Sequence, residues 1–277
     1  MKISISIYTF STMRKIGIIG IGKMGKAILQ GLSTFYPKDY LLSCDVLEES
    51  RRFSEGLGIR SFVKAQSLAE EADFLILAVK PKEALEVLFD ISQKLDNSKV
   101  LLSIVAGFPT RRISEALGEK GRILRAMPNL PLLVGEGAIG LCSGPRAEEE
   151  DLKFAKSLFL NLGEVVEVSE SLMDAVTALS GSGPAYFALF IEAMIDAGVR
   201  MGLNRGDALK LSVKTALGTA KMILQGLHPA LLKEEVMSPG GTTAEGIYVL
   251  ELKGIRGVIM EALFKAMLKA KELSNEE

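Results

Sequence analysis

The stretch RKIGIIGIGKMGKAILQGL, Arg14 to Leu32, decides the fold of this 277-residue chain. A short β-branched run, Lys15 to Ile19, leads into Gly20, Gly22 and Gly25 in G-x-G-x-x-G spacing, and a helical pattern then continues through Leu32. Gly20 permits a tight turn, Gly22 lets the backbone approach a pyrophosphate, and Gly25 lets the helix pack against the strand. Lys23 and Met24 stand at the helix start, whose free N–H groups face the phosphates. The competing reading is a tight strand-to-helix turn without ligand.

Working outward, the next strand, YLLSCDV, ends at Asp45, about twenty residues beyond the last glycine, where a carboxylate accepts hydrogen bonds from the adenosine ribose. Asp45 favours NADH, whereas Arg51 and Arg52 could neutralise the 2′-phosphate of NADPH, so either cofactor fits. Strand and helix then alternate: ADFLILAVKP, a helix over about 82–95, KVLLSIVAGFP, a helix to about Leu117, and GRILRAMPN. Such continuous apolar strands suit a sheet covered on both faces. In a doubly wound sheet the strand ends line the ligand crevice, placing Ala78, Val79, Lys80, Pro81, Ala106, Gly107 and Asn129 along the cofactor. Each alone also fits an ordinary strand-ending turn. GAIGLCSG and GEVVEVSE add two strands, giving an α/β Rossmann-type dinucleotide-binding domain over 13–167.

The net charge of −1, from 33 basic and 34 acidic residues, gives no footprint for nucleic acid or an anionic membrane. A small molecule is the expected partner. Two distant cysteines and one histidine give neither a disulfide framework nor a metal-ligand spacing, which suits a reducing, cytoplasmic setting. No metal site is expected. The first twelve residues read as an extension or an upstream start rather than a signal for export, and no run is expected to span a membrane.

From Ser169 onward the patterns are helical: about 170–179, 183–201, 205–227, 243–253 and 254–273, separated by GSGP, GLNRG, HPALL and SPGG. Stretches such as AYFALFIEAMIDAGV are apolar beyond one face, as in helices buried on several sides or at a subunit interface. An all-α dimerisation domain over 168–277 is therefore expected. SPGGTTAEG has two readings, a helix cap by Thr242 or Thr243 or an anion site on exposed N–H groups. No strong acid–base catalyst stands out, and His228 reads as a solvated or capping residue.

In order along the chain, GIGKMG, AVKP, RAMPNLPLLVGEG, DAVTALSGSGPAYFALFIEAM and HPALLKEEVMSPGGTTAEGIYVLE resemble the pyrroline-5-carboxylate reductases from about Met13 to Leu273. The SPGGTT segment is the most specific part of that resemblance. It implies reduction of Δ1-pyrroline-5-carboxylate to L-proline by NADPH or NADH, the last step of proline biosynthesis. It also implies a substrate site at Gly240, Gly241, Thr242 and Thr243, with the Thr243 hydroxyl near the ring nitrogen as the catalytic contact, and with Glu170 nearby. Family members form interlocked homodimers, often assembled into decamers of five dimers. Met237, Glu235 and Ala65 depart from the family pattern and bear on cofactor details. Reduction of a six-membered imine, oxidation of a β-hydroxyacid, and a non-catalytic nicotinamide sensor are the alternatives.

Overall fold

The computed structural model describes residues 13–275, so the expectation for the first twelve residues lies outside the described ones. In chain order, β1 (Ile16–Ile19), α1 (Lys23–Leu32), β2 (Leu41–Cys44), α2 (Glu48–Gly56), β3 (Arg60–Phe62), α3 (Ala65–Glu71), β4 (Phe74–Leu77), α4 (Pro81–Ile91), β5 (Val100–Ser103) and α5 (Thr110–Ala116) alternate. β6 (Arg122–Met127), β7 (Gly137–Ser143), α6 (Glu149–Phe159) and β8 (Gly163–Glu167) complete the α/β part. The eight strands form one sheet in the order β3-β2-β1-β4-β5-β6-β7-β8. All pairs are parallel except β6 with β7. A short 3₁₀ turn at Leu130–Val134 joins those two strands, and without a helical crossover the chain must reverse.

Strand periodicity explains the two cores. In β4, Phe74 and Ile76 join one apolar cluster with Ile16, Ile18 and Leu102, while Leu75 and Leu77 join another with Ile19 and Leu101. Successive side chains point to opposite faces, so both faces are packed, and each buried Leu or Ile contributes roughly 2 kcal/mol. The order reverses direction between β1 and β4, which opens the crevice at their carboxyl ends.

After β8 come α7 (Met173–Val176), a π-helical turn at Thr177–Gly181, α8 (Gly183–Arg200) and α9 (Arg205–Leu224). α10 (Pro229–Val236), α11 (Thr242–Leu252) and α12 (Ile255–Asn275) follow. HPALL, expected to separate helices, instead opens α10. The His228 Nδ1 caps it by accepting the Ala230 N–H at 3.2 Å, and Pro229 fills the first position, where no N–H is needed.

Two compact units result. One runs through Ser182 and takes in the chain from Ala266 onward; the other is Gly183–Lys265. The sequence reading divided the chain at 167/168, but Met173 packs with Met127 and Cys142 beside the sheet, which keeps the segment after β8 with the first unit. Within the second unit α8 and α9 approach closely, since a Cβ on Gly198 would lie 3.0 Å from that of Ala208. Many of its apolar side chains are open: Phe187 is 71% exposed and Met260 70%. The stretch Glu170–Arg200 is long and apolar enough to cross a membrane by length and composition alone, contrary to the sequence expectation.

Candidate functional site

The glycine loop is shaped by its neighbours. Gly20 adopts φ +93°, and its N–H bonds to the Cys44 carbonyl at 2.9 Å while the Ala78 N–H reaches the Ile19 carbonyl at 2.8 Å, lacing the ends of β1, β2 and β4 together. A Cβ on Gly25 would lie 1.9 Å from the Gly20 carbonyl oxygen, whereas a Cβ on Gly22 would meet nothing within 4 Å. The space over Gly22 lies beside the start of α1, whose first intrahelical bond is Lys26 N–H to the Gly22 carbonyl. No side chain caps that helix. Open room, unclaimed N–H groups and a helix dipole suit a pyrophosphate, so the residues present fit a dinucleotide. Lys23 is exposed and Met24 half-buried at the same turn.

Asp45 follows directly on β2. Its Oδ2 accepts the Ile21 N–H at 2.7 Å and its Oδ1 accepts the Leu47 N–H at 2.8 Å. Arg51 Nη1 donates to the Asp45 and Val46 carbonyls at 2.9 and 2.8 Å, and Arg52 pairs with Glu48 at 2.5 Å. Both arginines therefore have partners within their own loop and helix.

At the end of β4, Ala78 and Val79 are half-buried and touch the Gly20 position, while Lys80 precedes the helix opened by Pro81. Beyond β5, Ala106 packs on the Met127 and Cys142 cluster, and Gly107 takes φ +66° against the Leu273 backbone. Asn129 is buried with both ends of its amide in use: Nδ2 donates to the Ser180 carbonyl at 3.0 Å and Oδ1 accepts the Ala138 N–H at 2.8 Å. It ties the π-helical turn to the start of β7.

Glu170, expected beside the substrate, engages the start of α5. Oε1 accepts the Thr110 N–H at 2.7 Å and Oε2 accepts the Thr110 hydroxyl at 2.6 Å, while Arg125 Nη1 lies 3.4 Å from Oε1. Arg125 is buried, and its Nε and Nη2 have no partner among the described residues. Burial pushes the nearby Cys142 thiol up to about 11, with the Glu170 charge adding to the effect. Burial, and secondarily the charge of Asp45, push the Cys44 thiol up to about 12.

In the second unit, Gly240 takes φ +66° and the Gly241 N–H closes a turn onto the Ser238 carbonyl at 3.0 Å. Gly241 is the N-cap of α11, and no side chain caps the helix. This corrects the expectation that Thr242 or Thr243 does so. Both threonines lie inside the first turn, where the free N–H groups form an anion-accepting end.

A family model for pyrroline-5-carboxylate reductase dimerisation matches residues 170–273, and one for NADP oxidoreductase, coenzyme F420-dependent, matches 15–107. The pyrroline-5-carboxylate reductase of Methanosarcina acetivorans is 43% identical over 267 residues, covering 95% of this chain and 99% of its own. The chain belongs to the pyrroline-5-carboxylate reductase family. Two solved structures from this family agree with that membership. The Coxiella burnetii pyrroline-5-carboxylate reductase superposes with a TM-score of 0.90 at 34% identity, over 96% of this chain and 100% of that one. The Plasmodium falciparum pyrroline carboxylate reductase, solved with NADP bound, gives 0.87 at 35% identity over 95% and 98%.

Within this reductase fold, sequence reasoning missed Arg125 and Thr110 as partners of Glu170. A signal was present, because an arginine inside the apolar run GRILRAM must find a polar partner when its strand is buried on both faces. Of the departures from the family pattern, Ala65 is buried at the start of α3, Glu235 is exposed on α10, and Met237 is half-buried at that helix's end.

Proposed function

We propose that this protein reduces Δ1-pyrroline-5-carboxylate to L-proline with NADPH or NADH, closing proline biosynthesis. One observation carries the reading: α11 begins at Gly240-Gly241 with no side-chain cap, leaving N–H groups for a small carboxylate. In this reading Gly240, Gly241, Thr242 and Thr243 hold the substrate carboxylate, and the Thr243 hydroxyl hydrogen-bonds the ring nitrogen. The dinucleotide is held by Gly20, Gly22, Lys23, Met24, Gly25 and Asp45, with the strand-end residues 78–81, Ala106, Gly107 and Asn129 shaping its bed. When bound, the reduced nicotinamide supplies a hydride to the imine carbon. The imine enters protonated on nitrogen, so the protein needs no strong acid or base and works by alignment. Glu170, engaged by Thr110 and Arg125, is assigned the anchoring of α5 rather than a contact with the substrate.

The domain reading assigns 13–167 to dinucleotide binding and 168–277 to substrate binding and dimerisation. The exposed apolar faces of α8, α11 and α12 support a homodimer, with decamers of five dimers as the larger assembly. That burial also accounts for the apolarity of Glu170–Arg200 without a membrane. Two buried free thiols, Cys44 and Cys142, support a cytoplasmic setting. The test follows NADH and NADPH oxidation separately with pyrroline-5-carboxylate and its six-membered analogue. Turnover of the five-membered imine is expected, and no turnover of either would remove the enzyme reading.

A further inference from the structure

Asp45 is fixed in the structure more firmly than its place in the sequence requires. Its two carboxylate oxygens bracket the backbone, one taking the Ile21 N–H from the glycine loop and the other the Leu47 N–H from its own loop. Its own N–H bonds to the Phe62 carbonyl at 3.1 Å, anchoring it to the end of β3 as well. Each carboxylate oxygen has two acceptor positions, so one N–H apiece leaves room for a further donor. A ribose bearing 2′- and 3′-hydroxyls offers such donors. A 2′-phosphate offers only acceptor oxygens and more negative charge.

The surrounding charges do not reverse this. Glu48 and Glu49 occupy the first turn of α2, immediately beyond the Asp45 loop. Arg51, the cation nearest in sequence, directs Nη1 at the Asp45 and Val46 carbonyls, and Arg52 is paired with Glu48. With the Arg52–Glu48 pair cancelling, Asp45 and Glu49 stand as the carboxylates of this loop and helix start, while Arg51 is held at the carbonyls and Lys64 is exposed at the start of α3.

Resting on the dinucleotide reading above, we infer that Asp45 makes this reductase NADH-preferring, by accepting the adenosine ribose hydroxyls and repelling the 2′-phosphate of NADPH. Discrimination here comes from an unfavourable contact built against one cofactor as much as from a favourable one to the other.

The test is binding rather than turnover: the intact protein is titrated with NADH and with NADPH, reading the fluorescence of the reduced nicotinamide. NADH should bind at least roughly ten-fold more tightly. Asp45→Ser should narrow that ratio at least five-fold, chiefly by tightening NADPH, since loss of the Ile21 and Leu47 brackets weakens both cofactors alike and leaves the ratio untouched. In the unaltered protein, ADP-ribose should displace bound NADH better than its 2′-phosphorylated form, an arm that needs no variant to fold. Equal or tighter NADPH binding, equal displacement by the two competitors, or an unchanged ratio in a folded Asp45→Ser would each overturn the inference while leaving the dinucleotide reading in place. Binding of neither nucleotide would remove both.

Discussion

The Glu170 carboxylate grips Thr110 twice, taking its backbone N–H at 2.7 Å and its hydroxyl at 2.6 Å. Thr110 is the first residue of α5, so the contact satisfies a helix-start donor, and the oxygen that takes its N–H also meets buried Arg125. Glu170→Ala leaves that guanidinium without its counter-ion. The expected outcome is a loss of about 2 kcal/mol, seen as a fall of several degrees in Tm, with KM for the imine little changed. A raised KM at unaltered Tm would place Glu170 at the substrate instead.

Gly22 and Gly25 should fail differently. Gly22→Ala puts its methyl group into open space over the start of α1, so Tm should stay within about 1 °C while the affinity for NADH falls roughly ten-fold or more. Gly25→Ala drives a methyl group onto the Gly20 carbonyl oxygen and should destabilise by several kcal/mol, as overpacking does at its worst. Thermal melts beside fluorescence titrations separate the two effects.

Thr243 lies in the first turn of α11, half-buried and without a capping role. Thr243→Ala should lower kcat/KM for the imine by about ten-fold, the size of one lost hydrogen bond, with cofactor affinity unchanged. Steady-state kinetics at fixed cofactor decide it, and unchanged constants would strip the residue of its role.

The buried thiols make stability fall in alkali. Both are raised above the ordinary value of 9.0, to about 12 for Cys44 and about 11 for Cys142, so the unfolded chain releases these protons at lower pH than the folded one. The stabilisation is complete below pH 9 and is lost as pH climbs from 9 towards 11 and 12. The urea midpoint should drop over that window more steeply than in the Cys44→Ala, Cys142→Ala variant, and a thiol reagent at pH 8 should label neither cysteine until the protein unfolds.

Met260 and Phe264, both open on α12, test assembly. Met260→Glu should shift the protein to a smaller species by light scattering and lower its Tm, because a carboxylate at an apolar interface cannot be desolvated cheaply. An unchanged mass would move the interface elsewhere.

What was legible in the sequence follows from how local each signal is. The glycine loop and the strands beside it declare themselves because periodicity and glycine spacing span a few residues. β3 and α3 went unassigned, since a three-residue strand, RSF, is too short to show alternation. α10 went unassigned although the capping reading of His228 holds, since eight residues are too few to declare a helical period. The π-helical turn has no sequence marker, and the bond that Asn129 makes to its Ser180 carbonyl comes from 51 residues away. The same holds for the site. Asp45 could be placed by counting from Gly25, but its partners Ile21 and Leu47 could not. The resemblance set Glu170 beside the substrate; its bond to Thr110, 60 residues distant, is a product of the sheet.

The three glycines of the loop differ as witnesses. Gly20, with φ +93°, and Gly25, pressed onto its carbonyl, are required by the backbone itself, so descendants that abandon nicotinamide chemistry would still retain them. Gly22 alone answers to nothing in the protein. In a distant homologue, a side chain at that one position is the informative sign of a lost cofactor, and the other two glycines vouch only for the shape of a turn.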